Sequence, residues 1–453
     1  VKIINAVTIT AYDGDCKPLK TKSRLGGYMS RLPSASLGLG LMLMSMHGAS
    51  VAAGFALSEQ SGSGLGNAFA GAAAVAEDAS TIFFNPAGMT YLQGRQVVGA
   101  LNLINVRGDF DNAGSIAPSG RQPGGEGGNL GSFAAIPNLY YKQDINDQLK
   151  IGVGIGSPFG LKTEYDKDWL GRFQAIKSEL KTVNINPSLA WKLNEQWSVG
   201  LGVSAMWAQA ELTSAVNPPS LALSESSIKS KGQDWGFGYN LGAIYQVTAD
   251  TRLGLAYRSK VNQHLKGQAR SPFTLANANP AGTLNTDITA NLTLPETLSL
   301  SSFSKLDPRW ELLADITWTH WSRFQALSIM RDNGSNTAIG TTQERWNNTL
   351  RYSVGLNYLY SDSLKLRTGL AYDEEAIDKQ HRTPRIPGND RIWLSFGASW
   401  QYSQQTKLDI GYAHLFIQEA SIYDDQRALN RGLVAGKYNG SADILSLQFN
   451  HQF

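Results

Sequence analysis

The stretch Trp197-Ser198-Val199-Gly200-Leu201-Gly202-Val203-Ser204-Ala205-Met206-Trp207 decides the fold. Its odd positions are Trp197, Val199, Leu201, Val203, Ala205 and Trp207, and its even positions are Ser198, Gly200, Gly202, Ser204 and Met206. A β-strand turns successive side chains to opposite faces, so one face here is apolar and the other small or polar. The apolar face carries a tryptophan at each end. Ten residues at ~3.3 Å, tilted by ~40°, cover ~25 Å along a membrane normal, which is the height of an apolar band between two aromatic girdles.

The pattern recurs outward from that stretch. Val183, Ile185, Pro187, Leu189 and Trp191 alternate with Asn184, Asn186, Ser188 and Ala190. The same alternation runs through Trp235, Phe237, Tyr239, Leu241, Ala243 and Tyr245, through Trp310 to Trp318, through Leu350 to Tyr358, through Ile392 to Trp400, and through Leu445, Leu447 and Phe449. Charged residues fall on the other face, as a barrel lumen permits; Lys or Arg on the lipid face would cost ~2–4 kcal/mol at midplane. A water-soluble β-sandwich also has an apolar face, but has no reason to end that face in Trp and Tyr. Short polar turns stand at Ile145-Asn146-Asp147, Asn194-Glu195, Thr248-Ala249-Asp250, Asp307-Pro308, Ser361-Asp362 and Ser403-Gln404-Gln405. Long irregular stretches lie between them, at about 108–132, 160–180, 213–234, 265–287, 322–346, 373–391 and 416–443. Six turns and seven loops predict an all-β protein: a 14-stranded antiparallel transmembrane β-barrel with short inner turns and long outer loops. One strand must pass through Pro295, which lacks a ladder donor, so a bulge is expected there.

Composition narrows the function. The chain has 453 residues with 40 Lys+Arg against 37 Asp+Glu, a balance that gives no clustered basic footprint for nucleic acid. No stretch past residue 53 approaches the ~18–20 continuous apolar residues of a membrane helix. The single cysteine, Cys16, lies in the leader, which excludes disulfides and Cys-based zinc sites from the mature chain. The six histidines show no HExxH or paired metal spacing. Gly152-Val153-Gly154-Ile155-Gly156 resembles a dinucleotide loop but sits in a strand with no βαβ unit. No nucleophile–base pairing is visible, so the reading is a protein without cofactor or metal and not an enzyme.

Residues 1–28 read as an extension upstream of the natural start, and 29–52 as a signal peptide. Arg31 supplies the basic end, LGLGLMLMSM at 37–46 the apolar core, and Ser50 and Ala52 the small residues before cleavage. Residues 53–94 do not alternate and are rich in small residues, with short helical stretches expected at 65–75. A fourteen-stranded lumen needs filling if it is not to leak, so this segment is expected to be a hatch inside the barrel of 95–453.

Ser63-Gly64-Leu65-Gly66, Asp78-Ala79 and Asn85-Pro86-Ala87 resemble the hatch of the FadL family, outer-membrane carriers of long-chain fatty acids and related hydrophobic compounds, which also includes TodX-type aromatic-hydrocarbon carriers. The resemblance continues through Ser157-Pro158-Phe159-Gly160-Leu161, Trp235-Gly236-Phe237-Gly238, Tyr257-Arg258-Ser259, Leu366-Arg367-Thr368-Gly369 and Ile386-Pro387 to Asp390-Arg391, and covers 53–453. It implies that Phe55 and Leu57 reach into a substrate pocket, that Asn85, Pro86 and Ala87 lie beside a kinked third strand, and that the kink, at Pro158, Phe159 and Gly160, lets substrate leave sideways into the bilayer. The residues agree independently, since Pro158 removes a ladder hydrogen bond and Gly160 permits unusual backbone angles. In the loop 160–180, Trp169, Leu170, Phe173, Ile176 and Leu180 form an apolar set that either lines an outer capture groove or packs on its neighbours. The family's basic head-group positions fall near Ser214 and Asn347, neither of them basic; Arg345, Arg351 or an inward Arg258 are the candidates to replace them, or else the ligand has a neutral head. The implied protein is a monomer in the outer membrane of a Gram-negative bacterium, in contact with outer-membrane lipid and binding a fatty acid or hydrocarbon. A general diffusion porin and a lipid-acting surface enzyme are the rival readings.

Overall fold

The computed structural model describes residues 54–217, 225–272, 284–335 and 337–453. The leader boundaries expected at 28, 52 and 53 lie outside those residues. No described helix is long and apolar enough to cross a membrane; the crossing is made by strands.

Alternation of apolar and small residues builds one antiparallel sheet. Its segments are β1 (Gln96–Asn112), β2 (Phe133–Asp144), β3 (Leu149–Gly156), β4 (Gly160–Glu164), β5 (Lys177–Lys192), β6 (Trp197–Val216), β7 (Ser226–Gln246), β8 (Thr251–Arg258), β9 (Val261–Ser271) and β10 (Leu284–Leu294). They continue with β11 (Thr297–Lys305), β12 (Trp310–Thr319), β13 (Ala326–Arg331), β14 (Ala338–Gln343), β15 (Thr349–Ser361), β16 (Leu364–Asp373), β17 (Arg391–Gln401), β18 (Thr406–Asp425) and β19 (Leu433–Gln452). β1 pairs with β2 on one side and with β19 on the other, from Gln96↔Gln452 to Asn112↔Gly436, which closes the sheet. Segments β3 and β4, β8 and β9, and β10 and β11 are each one wall strand with an interruption, and β13 and β14 form a hairpin in an outer loop, so the wall has the fourteen strands expected. All six short turns fall between wall strands. Several expected outer loops are shorter than read, because β6, β7, β18 and β19 run on beyond the apolar band as 20- or 21-residue ribbons.

The three interruptions share a consequence that single-phase alternation hides. Along β11 the even residue Leu300 is 53% exposed on the outer face, while along β10 the even residue Leu292 is 6% exposed and turned inward. Odd residues behave likewise across β8 and β9, where Leu255 faces out and Leu265 faces in, and across β3 and β4, with Ile151 outside and Leu161 inside. Each break changes which parity faces the lumen: the first two each carry one extra residue against a neighbouring strand, and the third shifts together with the second, to which it is paired. At the first break, Ser157-Pro158-Phe159 stands opposite only Thr182-Val183, between Gly156↔Asn184 and Gly160↔Lys181. Pro295 lies in the third, between Leu294 and Thr297, but Pro295-Glu296 stand opposite Ser259-Lys260, two against two, so the ladder is interrupted there without the bulge that was expected. Below the breaks apolar side chains face lipid. Above them, Leu161, Val261, Leu265, Leu292 and Leu294 face inward and build one buried cluster.

Residues 54–94 contact inner faces around the whole wall. Gly62 N donates to Gln448 Oε1 (2.9 Å), Asn67 Nδ2 to Asn357 Oδ1 (2.8 Å), and Ala73 N to Ser301 Oγ (3.1 Å). Asn102 Nδ2 donates to the Glu59 carbonyl (2.9 Å), and Glu77 pairs with Arg367 (2.7 Å) and Lys407 (3.3 Å). The helical reading of 65–75 holds only at its ends, in Gly62–Leu65 and Ala72–Val75. Ala68, Phe69 and Gly71 between them take left-handed φ values of 48°, 55° and 69°. Such angles in non-glycine residues need outside support; Phe69 N donates to the Gly64 carbonyl (2.8 Å) and Arg351 Nη2 to the Ala68 carbonyl (2.9 Å).

Candidate functional site

The first described residues lie against the first wall break. Ala56 faces Phe159 as an antiparallel bridge. Leu57 N donates to the Pro158 carbonyl (2.9 Å) and Gly160 N to the Phe55 carbonyl (2.9 Å), so the arm adds a short strand to the break. Gln60 Nε2 donates to the Ser157 carbonyl (2.9 Å). Pro158 has no N–H, and Thr182 takes over part of the lost ladder: its Oγ1 accepts from Phe159 N (3.2 Å) and donates to the Phe159 carbonyl (2.6 Å). Gly160 is not in the left-handed region. Its role is room, because a Cβ there would stand 2.8 Å from Leu57 Cδ1.

Phe55 is 2% exposed and sits in an aromatic cage. Its ring centroid lies 4.8 Å from Trp321, 5.5 Å from Trp346, 5.6 Å from Phe324 and 6.2 Å from Phe159. Edge-on arrangements of this kind add to area burial because ring edges are positive and faces negative. The preceding Gly54, at φ +63°, has Trp321 packed on it so closely that a Cβ would come within 2.3 Å of the indole.

Next to the cage is a cavity of about 150 Å³ lined by Leu57, Phe69, Phe83, Phe84, Pro158 and Phe159, with Arg258, Arg351, Arg391, Asp315 and Asp373 among its polar residues. Arg391 pairs with Asp373. Arg258 donates to the Phe83 carbonyl (2.7 Å) and Ser204 Oγ (3.4 Å), and its guanidinium lies 4.3 Å from the Phe83 ring centroid. No described carboxylate lies within ion-pair distance of Arg258 or Arg351. The lining therefore holds three guanidinium groups against two carboxylates.

The other expected site residues lie elsewhere. Asn85 Nδ2 donates to the Ala73 carbonyl (2.7 Å) and the Ala243 carbonyl (3.1 Å). Asn85-Pro86-Ala87 packs on β6 and β7, where Gly200 and Gly242 leave room for its backbone and side chain, and the segment directly bonded to the wall break is 55–60. Trp169 is fully buried, stacked on Tyr165 (3.9 Å) beside Phe110, in a cluster separate from the Phe55 cage. Phe173 is buried under the Arg172 guanidinium, 4.6 Å from its ring centroid. Neither lines the cavity, and the apolar set of that loop divides, with Leu180 joining the Phe55 cluster. Ser214 is buried on β6, while Asn347 and Arg345 are exposed in the loop after β14. The cage residues Trp321, Phe324 and Trp346 carry no periodic signal, being in non-repetitive loop segments; His320 packs against Trp318 (4.9 Å), while Trp321 turns inward. In the same outer region burial pushes the Glu344 carboxyl up to about 8, against a hydrogen bond from Trp346 Nε1 (3.3 Å). Burial likewise pushes Glu375 up to about 7, opposed by its pair with Arg382 (2.6 Å).

Among the described residues no cluster of His, Cys, Asp and Glu could hold a metal ion. Residues 43–453 match the family described as outer membrane protein transport protein (OMPP1/FadL/TodX). The long-chain fatty acid transport protein of Escherichia coli K12 is 31% identical over 435 residues, covering 88% of this chain and 94% of that protein. Outer membrane protein P1 of Haemophilus influenzae Rd is 33% identical over 456 residues, covering 91% and 97%. Among solved structures, a Pseudomonas aeruginosa FadL homologue superposes with a TM-score of 0.81 at 25% identity, covering 88% of this chain and all of the other. The Ralstonia pickettii toluene transporter TbuX shares the fold, with a TM-score of 0.63 at 19% identity over 87% and 98% of the two chains. The chain belongs to the OMPP1/FadL/TodX family and is an outer-membrane β-barrel transporter of hydrophobic compounds.

Proposed function

We propose that this barrel takes up long-chain fatty acids passively, with the N-terminal arm as gate and the break at Pro158 as a sideways exit to the bilayer. Residues 54–94 act as the hatch that closes the lumen meanwhile. The observation that carries this reading is the arm itself: Phe55 fills the aromatic cage while the backbone on either side of Ala56 is bonded to the break. A ligand that displaces Phe55 from the cage therefore also strips the break of its extra strand. An acyl chain gains ~0.8 kcal/mol per methylene buried, so the bilayer favours it over a watery periplasm. Arg258 receives the carboxylate, in place of the basic groups missing at Ser214 and Asn347. A charged hydrogen bond to a buried, uncompensated guanidinium is among the stronger neutralising contacts.

Cavity size favours a second reading at one point. About 150 Å³ is the size of apolar void known to take one benzene ring, whereas drug-sized ligands need roughly 300–1,000 Å³. With the arm docked, the cavity suits a monoaromatic hydrocarbon; a long acyl chain needs Phe55 displaced. The relatives named for fatty-acid transport, at 31% identity, weigh toward the acyl chain.

A crosslink tests the gate. Ala56 and Phe159 face each other as a non-hydrogen-bonded antiparallel pair, whose Cα atoms lie ~4.5 Å apart, within the range of a disulfide. The Ala56→Cys/Phe159→Cys barrel should lose oleate uptake when oxidised and regain it on reduction. Equal uptake in both states would exclude the arm as gate. A parallel panel with oleate and toluene assigns the ligand: Arg258→Gln should weaken oleate binding at least tenfold and leave toluene unaffected, and equal loss of both would remove Arg258 from head-group recognition.

A further inference from the structure

Above the aromatic girdle the outer face of β7 and β9 changes character. Trp235, Phe237 and Tyr239 face lipid on β7, and the same face continues outward as Gln233, Lys231 and Lys229. Below its break the wall strand of β8 and β9 presents leucines to lipid; above it, the parity change presents Lys266, Gln268 and Arg270 instead. Pairing sets these side by side, with Gln233↔Lys266, Lys231↔Gln268 and Lys229↔Arg270. The four cations border one groove of about 910 Å³, in which Asp287 and Asp332 are the acids.

We propose that this groove binds the phosphorylated head group of an outer-leaflet glycolipid. Position is the first argument. Residues two, four and six beyond Trp235 stand roughly 5, 10 and 15 Å further along the barrel axis, at ~3.3 Å per residue and ~40° tilt. The polar layer outside a ~30 Å hydrocarbon core is ~5–8 Å thick on each side, so Lys266, paired with Gln233, lies at head-group depth and Lys231 just beyond it, where phosphates and sugars of a glycolipid stand. Charge is the second argument. Lys229 and Arg270 are placed directly opposite one another, and like charges so placed destabilise a sheet unless an anion lies between them. Lys229 is partly served by Glu211 (2.9 Å), which also pairs with Lys177 (3.3 Å). Lys231 and Lys266 have no ion-pair or hydrogen-bond partner among the described residues; Lys231 stands opposite Glu211, whose oxygens are engaged by Lys229 and Lys177, and the cross-strand neighbours of Lys266 are the uncharged Gln233 and Thr289. The excess is local, because at comparable height the outer face of β1 presents Arg107 with Asp109 and Asp111. Cations set along two adjacent, paired strands can each give a phosphate group charge-assisted hydrogen bonds.

The test uses the full barrel in zwitterionic detergent with three probes: bisphosphorylated lipid A, the same lipid A without its phosphates, and inorganic phosphate. Native mass spectrometry and titration should show retention of bisphosphorylated lipid A, at least tenfold weaker binding of the dephosphorylated form, and weakening as salt rises. Lys231→Gln/Lys266→Gln should bind the phosphorylated probe at least tenfold more weakly while oleate uptake is unchanged. Equal binding of the two lipid probes, or displacement of lipid A by millimolar inorganic phosphate, would overturn the proposal, and neither result needs a variant that folds. Undiminished binding by the double variant, shown to be assembled by its heat-modifiable gel mobility, would overturn it as well.

Discussion

Replacing Phe55 by Ala tests whether the arm is held by its aromatic cage. Large-to-small changes of buried Phe cost ~3–5 kcal/mol, depending on how far the site refills. Phe55 touches four rings, but it lies next to a cavity into which neighbours can relax. The lower end, about 3 kcal/mol, is therefore the working figure, and at ~1.4 kcal/mol per decade it shifts the docked-to-undocked ratio about a hundredfold. The loss is local. It opens the arm, whose backbone tie to the break is the pair of bonds Leu57 N to Pro158 and Gly160 N to Phe55, and leaves the ladders of the wall intact. Hydrogen exchange on the barrel in detergent reads both: the amides of Leu57 and Gly160 should lose about two orders of magnitude of protection, while the amide of Leu201, between two paired strands, keeps its own. Protection at Leu57 and Gly160 within threefold of the parent would refute the cage as the arm's anchor.

Gly54→Ala should release the same arm without touching a ring. It forces a Cβ into the Trp321 indole and a left-handed φ onto alanine, so the exchange pattern should copy that of Phe55→Ala; a fully protected Leu57 amide would show that Trp321 yields instead. The parity change predicts unequal costs for outward arginines. Leu255→Arg, in the apolar band below the break, should lose ~2–4 kcal/mol in folding into bilayers, and His264→Arg, outward but above the break, ~0–1 kcal/mol; equal losses would contradict the change of face. Glu344 gives a pH dependence with a defined sign. Its folded value of about 8 lies above the ordinary 4.5, so the folded outer loop retains a proton that the unfolded chain releases. Its contribution is full below about 4.5 and is lost as pH rises through about 8, and Glu375, raised to about 7, acts in the same direction. Exchange rates over 320–348 should therefore increase from pH 5 to 9 after correction for intrinsic chemistry, and Glu344→Gln should flatten that increase; an increase of the same size in the variant would assign it to another group.

The wall was legible in the sequence because lipid imposes a strict rule. One face of every crossing strand must be apolar, and its ends attract Trp and Tyr, so Trp197 to Trp207 carries its position in its period. The proline breaks were legible for a related reason, since a residue without N–H cannot serve the ladder, and Pro158 and Pro295 both sit where wall strands divide.

The ligand site obeys no such rule. Trp321 and Trp346 sit in loops whose side-chain directions are set by contacts from elsewhere in the chain, and no period in the sequence marks them. The break itself also misleads a reader of alternation. Leu265 and Leu292 would continue the lipid face if their strands kept one phase, yet the paired breaks turn them into the Phe55 cluster. Thus the same few irregular residues move apolar surface from the membrane side to the lumen side, expose lysines where lipid head groups begin, and leave the edge on which the arm docks. Straightening the β8–β9 break by deleting Ser259 would return Leu265 outward, drain the cluster around Phe55, and bury Lys266 toward the lumen. If a barrel so altered assembled and kept both its arm protection and its oleate uptake, the cage could not depend on the change of face.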